Sequence, residues 1–142
     1  MDLKDKVVLI TDSSSGIGKA ASLAFAKEDA KIVVNYRENK AGAEETVAEI
    51  KKLGSEAIAL QADVADPNQV KKLFSETFKI YGTLDILINN AGLAKPKPFL
   101  EITAKDLVDE FQENFFLTVY CLCPPYTCKC CCPGLYSYSV LG

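Results

Sequence analysis

Histidine is absent from all 142 residues. That excludes an imidazole that activates a serine or cysteine nucleophile, and it excludes histidine metal ligands. No apolar run comes near the ~20 residues that a membrane-spanning helix needs. The opening Met1-Asp2-Leu3-Lys4-Asp5-Lys6 lacks the apolar centre of a secretory signal, so a cytoplasmic protein is expected. Positive charge is not in excess: the net charge is −3, which argues against a nucleic-acid surface. Cysteine is missing from the first 120 residues, and all six fall between Cys121 and Cys132. Charge shows the reverse pattern, since after Val119 only Lys129 carries a charged side chain. The chain therefore divides into residues 1–118 and a cysteine-rich tail, 119–142.

What is present in the first piece is alternation. Apolar runs at Lys6–Thr11, Lys31–Tyr36, Glu56–Ala62 and Leu84–Asn89 read as strands buried on both faces. Helical periods separate them. Helix A runs from Gly16 to about Glu28, with Ile17, Ala21, Ala24 and Phe25 at helical spacing. Helix B runs from about Lys40 to Leu53, with Ala43, Val47 and Ile50 on one face and Gly54 as its stop. Helix C starts at Pro67 behind an Asp66 N-cap, carries Val70, Leu73, Phe74 and Phe78 inward, and ends at Gly82 near Tyr81. Helix D starts after Thr103, with Asp106 in its first turn. Its inward face is expected to be Leu107, Val108, Phe111 and Phe115, with Asn114 on the same side. Alternation with short, right-handed crossovers predicts a parallel sheet ordered 3-2-1-4 with helices on both faces.

The turn after the first strand is Thr11-Asp12-Ser13-Ser14-Ser15-Gly16-Ile17-Gly18. Strand, small-residue turn and helix aim a helix amino end, with its unpaired N–H groups and positive dipole, at an anion. Gly16 and Gly18 let backbone approach a phosphate with no Cβ between. These residues resemble the glycine motif Thr-Gly-x-x-x-Gly-x-Gly of the short-chain dehydrogenase/reductase family. Asn89-Asn90-Ala91-Gly92 after the fourth strand and Asp63-Val64 after the third match two further motifs of that family. The resemblance covers residues 1 to about 118. It implies a partial Rossmann (doubly wound) fold that stops after the fourth strand and helix, and an NADP or NAD cofactor. It implies a cofactor site made of Thr11, Ser13, Ser14, Ser15, Gly16, Ile17, Gly18, Tyr36, Arg37, Asp63, Val64, Asn90, Ala91 and Gly92. Arg37, at the end of the second strand, favours NADP or use of both cofactors; the alternative is a solvated arginine on a turn. Asn114 matches the family asparagine that helps hold a water in the proton relay; a buried asparagine satisfied by backbone is the other reading. The run Val34-Asn35-Tyr36-Arg37 is most similar to the glucose dehydrogenase and 3-oxoacyl-carrier-protein reductase group.

Two departures from the family pattern stand out. Asp12 replaces the first glycine. A carboxylate ~4 Å from a pyrophosphate, at an effective dielectric of 20, is repelled by about 4 kcal/mol before solvent relaxes, so weaker cofactor binding is expected. The alternative is that Asp12 points away and caps its own turn. The family's serine after a fifth strand and the Tyr-x-x-x-Lys on the helix that follows it, which move the proton, have no match as a set; Tyr126 and Lys129 stand three apart directly after Pro124-Pro125, with no fifth strand before them. Hydride transfer between nicotinamide and a small carbonyl or alcohol is thus the implied family reaction, with little turnover expected of this chain. The alternatives are a nucleotide-binding module without catalysis and, behind it, a metal site in the cysteine-rich tail. An accidental, unfolded tail is the expected reading of 119–142, with no metal bound. Strand four would be an open edge, through which self-association is expected.

Overall fold

The computed structural model describes residues 3–92, 96–111 and 114. Four parallel strands form one sheet: β1 (Val7–Ile10), β2 (Lys31–Tyr36), β3 (Ala57–Gln61) and β4 (Ile86–Ile88), in the order β3-β2-β1-β4. The register pairs Leu9 with Val33 on one side and with Leu87 on the other. The helices are α1 (Gly16–Ala26), α2 (Lys40–Lys52) and α3 (Pro67–Tyr81). A short 3-10 turn covers Phe99–Glu101, and α4 (104–111) follows. No described helix is long and apolar enough to cross a membrane.

Successive side chains of a strand point to opposite faces, and both faces of β1 are covered. Val7 and Leu9, with Val33 of β2, pack against Val70, Leu73 and Phe74 of α3. Val8 and Ile10, with Ile32 and Val34, pack against Ala26 of α1 and Ala43 and Ile50 of α2. This is the expected three-layer arrangement. Where a helix turns a hydroxyl toward the core, the oxygen is satisfied within the helix. Ser22, Thr46 and Thr77 each donate to the carbonyl four residues back, at 2.9, 2.8 and 2.9 Å.

The helix ends follow their signals. Asn39 caps α2 through Gly42 N–H at 3.1 Å, and Asp66 caps α3 through Asn68 N–H at 2.8 Å. Gly82 closes α3 at φ +74°. Thr103 and Asp106 satisfy each other before α4. The Thr103 N–H and hydroxyl both donate to Asp106 Oδ2, at 2.9 and 2.6 Å, and Asp106 N–H donates back to Thr103 Oγ1 at 3.2 Å.

Two expectations need correction. On α1 the fully buried positions are Gly18, Ser22 and Ala26; of the expected stripe, Ala21 and Phe25 pack part-buried against the core, while Ile17 is 82% exposed and Ala24 is exposed as well. Small residues face the sheet because α1 lies close to it, so the contact selects smallness where the periodicity counted bulk. On α4 the spacing is as read, but Leu107 (60%) and Phe111 (64%) are exposed, as is Val108, so the stripe is not the inward face it was expected to be. Phe115 and the tail lie outside the described residues. The strands are also shorter than the apolar runs. Leu84 is buried but precedes β4, and Asp85 uses its N–H and carboxylate on Val7 at the sheet's amino edge.

Candidate cofactor site

Parallel strands deliver their following loops to one edge, and four of the chain's motifs meet there. The β1–α1 loop is the centre. Thr11 and Ser13, both expected at the site, are buried and turned into the structure. The Thr11 hydroxyl accepts the N–H groups of Asn90 and Ala91, each at 2.9 Å, and donates to the Ile88 carbonyl at 3.4 Å. Asn90 answers with Nδ2, which donates to the carbonyls of Thr11 and Asp12, both at 3.0 Å. The Asn-Asn-Ala-Gly loop and the glycine turn are thereby fastened together. Ser13 Oγ donates to the Ile10 carbonyl at 2.7 Å, closing the turn on its own strand.

The glycines have distinct tasks. Gly16 has φ +56°, and a Cβ placed on it would meet nothing within 4 Å, so it is needed for its backbone conformation and faces open space. Gly18 is needed for room. A Cβ there would lie 2.5 Å from the Asp12 carbonyl oxygen and 2.7 Å from Asn90 Nδ2. Ser15 stands at the α1 N-cap with no side-chain capping bond, which leaves the helix's leading N–H groups uncapped by it. Ser14 is buried; Ser15 and Ile17 are exposed beside that amino end.

Asp12 occupies the left-handed region at φ +48°. This accounts for the family's glycine at the position: the turn demands positive φ, and aspartate is among the few residues that tolerate it. Its side chain is exposed.

The flanking groups are more loosely held. Tyr36 is buried in the core, whereas Arg37 is exposed and its Nε lies 3.4 Å from Glu38 Oε1, a solvated pair of little strength. Asp63 Oδ1 accepts the Ala65 N–H at 2.9 Å, which shapes the turn after β3, and Val64 belongs to the core. Asn114 is exposed, yet it comes to the motif loop: a Cβ on Gly92 would lie 3.3 Å from Asn114 Oδ1.

Two residues of this edge escaped the sequence reading. Asn35, buried in β2, bonds to the glycine turn and to β3. Its signal was a lone amide within an apolar strand. Gly42 sits in the first turn of α2, where a Cβ would lie 2.6 Å from the Ser14 carbonyl oxygen. A glycine inside a helical period was the sign that backbone comes close there.

A cleft of about 440 Å³ lies at the other end of the sheet, lined by Lys31, Glu56, Ile58, Ile80 and Tyr81 among others. It opens at the amino ends of β2 and β3 and shares no residue with the motif loops. Burial, and then the nearby Glu56 carboxylate, push the Tyr81 phenol up to about 12. Among the described residues no cluster of three or more acidic or cysteine side chains could hold a metal ion.

Comparison with known proteins agrees with this layout. The family model described as short chain dehydrogenase matches residues 6–123. A short-chain dehydrogenase/reductase of Pestalotiopsis microspora is 43% identical over 112 residues, covering 79% of this chain and 42% of that protein. Versicolorin reductase 1 of Aspergillus parasiticus is 40% identical over 112 residues, covering 79% and 43%. Among solved structures, a dehydrogenase from Burkholderia cenocepacia with bound NADP aligns with a TM-score of 0.78 and 33% identity, over 85% of this chain and 47% of that one. A second structure from that organism, a short chain dehydrogenase in complex with NADP, aligns at 0.77 with 33% identity, over 85% and 49%. The chain thus spans less than half the length of these relatives. With the family model matched over most of its residues and the glycine turn, the Asp63-Val64 turn and the Asn-Asn-Ala-Gly loop on one sheet edge, the chain belongs to the short-chain dehydrogenase family.

Proposed function

We propose that this chain binds a nicotinamide dinucleotide, NADP in preference to NAD, along the carboxyl edge of its sheet. The observation that carries the reading is the cradle at α1. Gly16 opens onto free space at a helix amino end, and Gly18 allows the backbone of that end to seat against Asp12 and Asn90. The residues present fit an anion there, because leading N–H groups and the helix dipole both favour negative charge. Ser15, Gly16, Ile17 and Gly18 would receive the pyrophosphate, with Thr11, Ser13 and Ser14 fixing the shape of the loop. Tyr36 and Arg37 would flank the adenosine ribose, where the guanidinium suits a 2′-phosphate. Asp63 and Val64 would bound the adenine. Asn90, Ala91, Gly92 and Asn114 would line the nicotinamide side. The solved relatives that hold NADP support the choice of cofactor.

A nicotinamide group supplies reversible hydride transfer to a carbonyl or alcohol carbon. The residues in hand would bind and orient, and Asn114, whose Oδ1 comes close to Gly92, would hold a water near that end. A second reading is a nucleotide-binding module with little or no turnover: the one Tyr-x-x-x-Lys spacing, Tyr36 to Lys40, runs from the end of β2 to the start of α2 and shares no helix face. The half-buried β4 edge and the exposed apolar stripe of α4 also support self-association of this chain. Titration of NADPH and NADH, followed by nicotinamide fluorescence, tests the main reading. Tighter binding of NADPH, with the difference lost in Arg37→Ala, is expected; binding of neither cofactor overturns it. Binding without turnover on a panel of carbonyl compounds selects the module.

A further inference from the structure

We propose that Asn35 is a positioning residue for the glycine turn, and that its carboxamide holds Asp12 in the left-handed backbone conformation. Asn35 is 1% exposed, next to last in β2, between the apolar Val34 and the buried Tyr36. Every hydrogen-bonding atom of its amide is used. Oδ1 accepts the Asp12 N–H at 3.2 Å, while Nδ2 donates to the carbonyls of Leu60 at 3.3 Å and Ala62 at 3.1 Å. The two carbonyls fix which side is nitrogen, and hence that an oxygen faces Asp12. The Asn35 main-chain carbonyl accepts the next amide of the turn, Ser13 N–H, at 2.9 Å. One residue thus ties β3 to two consecutive amides of the turn.

The need for such a tie comes from Asp12. Its φ of +48° is a conformation that glycine adopts freely and that other residues enter at a cost. The Asp12 carbonyl, set by the same torsions, is the oxygen that faces Gly18 and accepts from Asn90 Nδ2. If the peptide at Asp12 relaxed, both contacts would shift and the α1 amino end would move with them. A buried amide that presents an acceptor to that N–H, and is itself anchored on β3, opposes the relaxation. The departure from glycine at position 12 is therefore tolerated because Asn35 stands behind it.

Two measurements test this, one without ligand and one resting on the cofactor reading. In the unliganded chain the Asp12 amide should exchange with deuterium as slowly as the sheet amide of Ile10. Exchange as fast as an open loop amide would overturn the proposal. In the second, NADPH dissociation constants are measured for the wild-type chain, Asn35→Ala, Asp12→Gly and the double variant. Asn35→Ala should weaken binding about tenfold when Asp12 is present and about threefold or less when glycine is present, because glycine needs no holding. An equal loss in both backgrounds would mean that Asn35 only supports the fold, and would sink the positioning role. If Asn35→Ala does not fold, the exchange rate alone decides. A slow Asp12 amide in a chain that binds no NADPH supports the positioning role and sinks only the cofactor reading.

Discussion

A methyl group at Gly18 would sit 2.5 Å from a backbone oxygen, and neither α1 nor the turn can give way without disturbing Asn90. Gly18→Ala should therefore destabilise the fold by about 1–3 kcal/mol, measured by urea denaturation, and weaken NADPH binding in parallel. A variant as stable as wild type would contradict the close approach. The opposite change is expected at Asp12. Asp12→Gly removes both a strained residue and a carboxylate at the anion cradle, so NADPH should bind tenfold or more tightly. Equal dissociation constants would show that the carboxylate stays clear of the cofactor. Tyr81 gives an independent check of burial at the far edge. Its phenol is pushed up to about 12, so the folded state favours the neutral form. The associated stability is full below the ordinary tyrosine value of about 10 and is lost as pH rises toward 12. Absorbance at 295 nm should show a late-titrating tyrosinate that Tyr81→Phe abolishes. At this scale the sequence was legible where a motif names a residue, as at Gly18. It was opaque where a residue acts by position alone: Asn35 looks like any strand amide until its two carbonyl partners on β3 are known.

Helix ends were readable because capping is local chemistry. Asp66 and Thr103 each meet an N–H within a few residues, and no tertiary knowledge is needed to expect it; Asn39 caps α2 in the same way, though it went unread in the sequence. Helix faces were less so. The α1 stripe that begins at Ile17 is a true apolar period. Its Ala21 and Phe25 pack part-buried against the core, but the fully buried line is Gly18, Ser22 and Ala26, because a helix starting right after the glycine turn lies too close for larger groups there. The α4 stripe of Leu107, Val108 and Phe111 was placed correctly along the helix, but periodicity cannot say whether a partner exists. The start of α4 is sensitive to acid. The Lys97 ammonium, and then the Thr103 hydroxyl and N–H, hold the Asp106 carboxyl well below the usual carboxylate range. Because the folded-state value is depressed, the stabilisation is present above the unfolded value of about 3.9 and is lost as pH falls through the lower folded value. Amide exchange in 104–111 should accelerate below about pH 4 ahead of the sheet amides, and this early loss should vanish in Asp106→Asn. Exchange rates that stay level with those of β1 would contradict the capping arrangement.

For the molecule as a whole, strand order and parallel direction were the legible part. Apolar runs separated by helical periods leave few topologies, and β3-β2-β1-β4 is the one formed. Exposure was not legible, since it depends on what stands beyond β4 and α4. With that strand half-buried and the apolar residues of α4 largely exposed, the chain should self-associate. Its weight-average mass in sedimentation equilibrium should rise with concentration in the micromolar range; a constant monomer mass would refute this. The central claim, that an anionic cofactor seats at the amino end of α1, is tested most directly by mapping amide chemical shifts as NADPH is added. The account predicts the largest changes at Ser14–Gly18 and at Asn90–Gly92. Changes confined to the cleft near Lys31, Glu56 and Tyr81, or no saturable change anywhere, would contradict it.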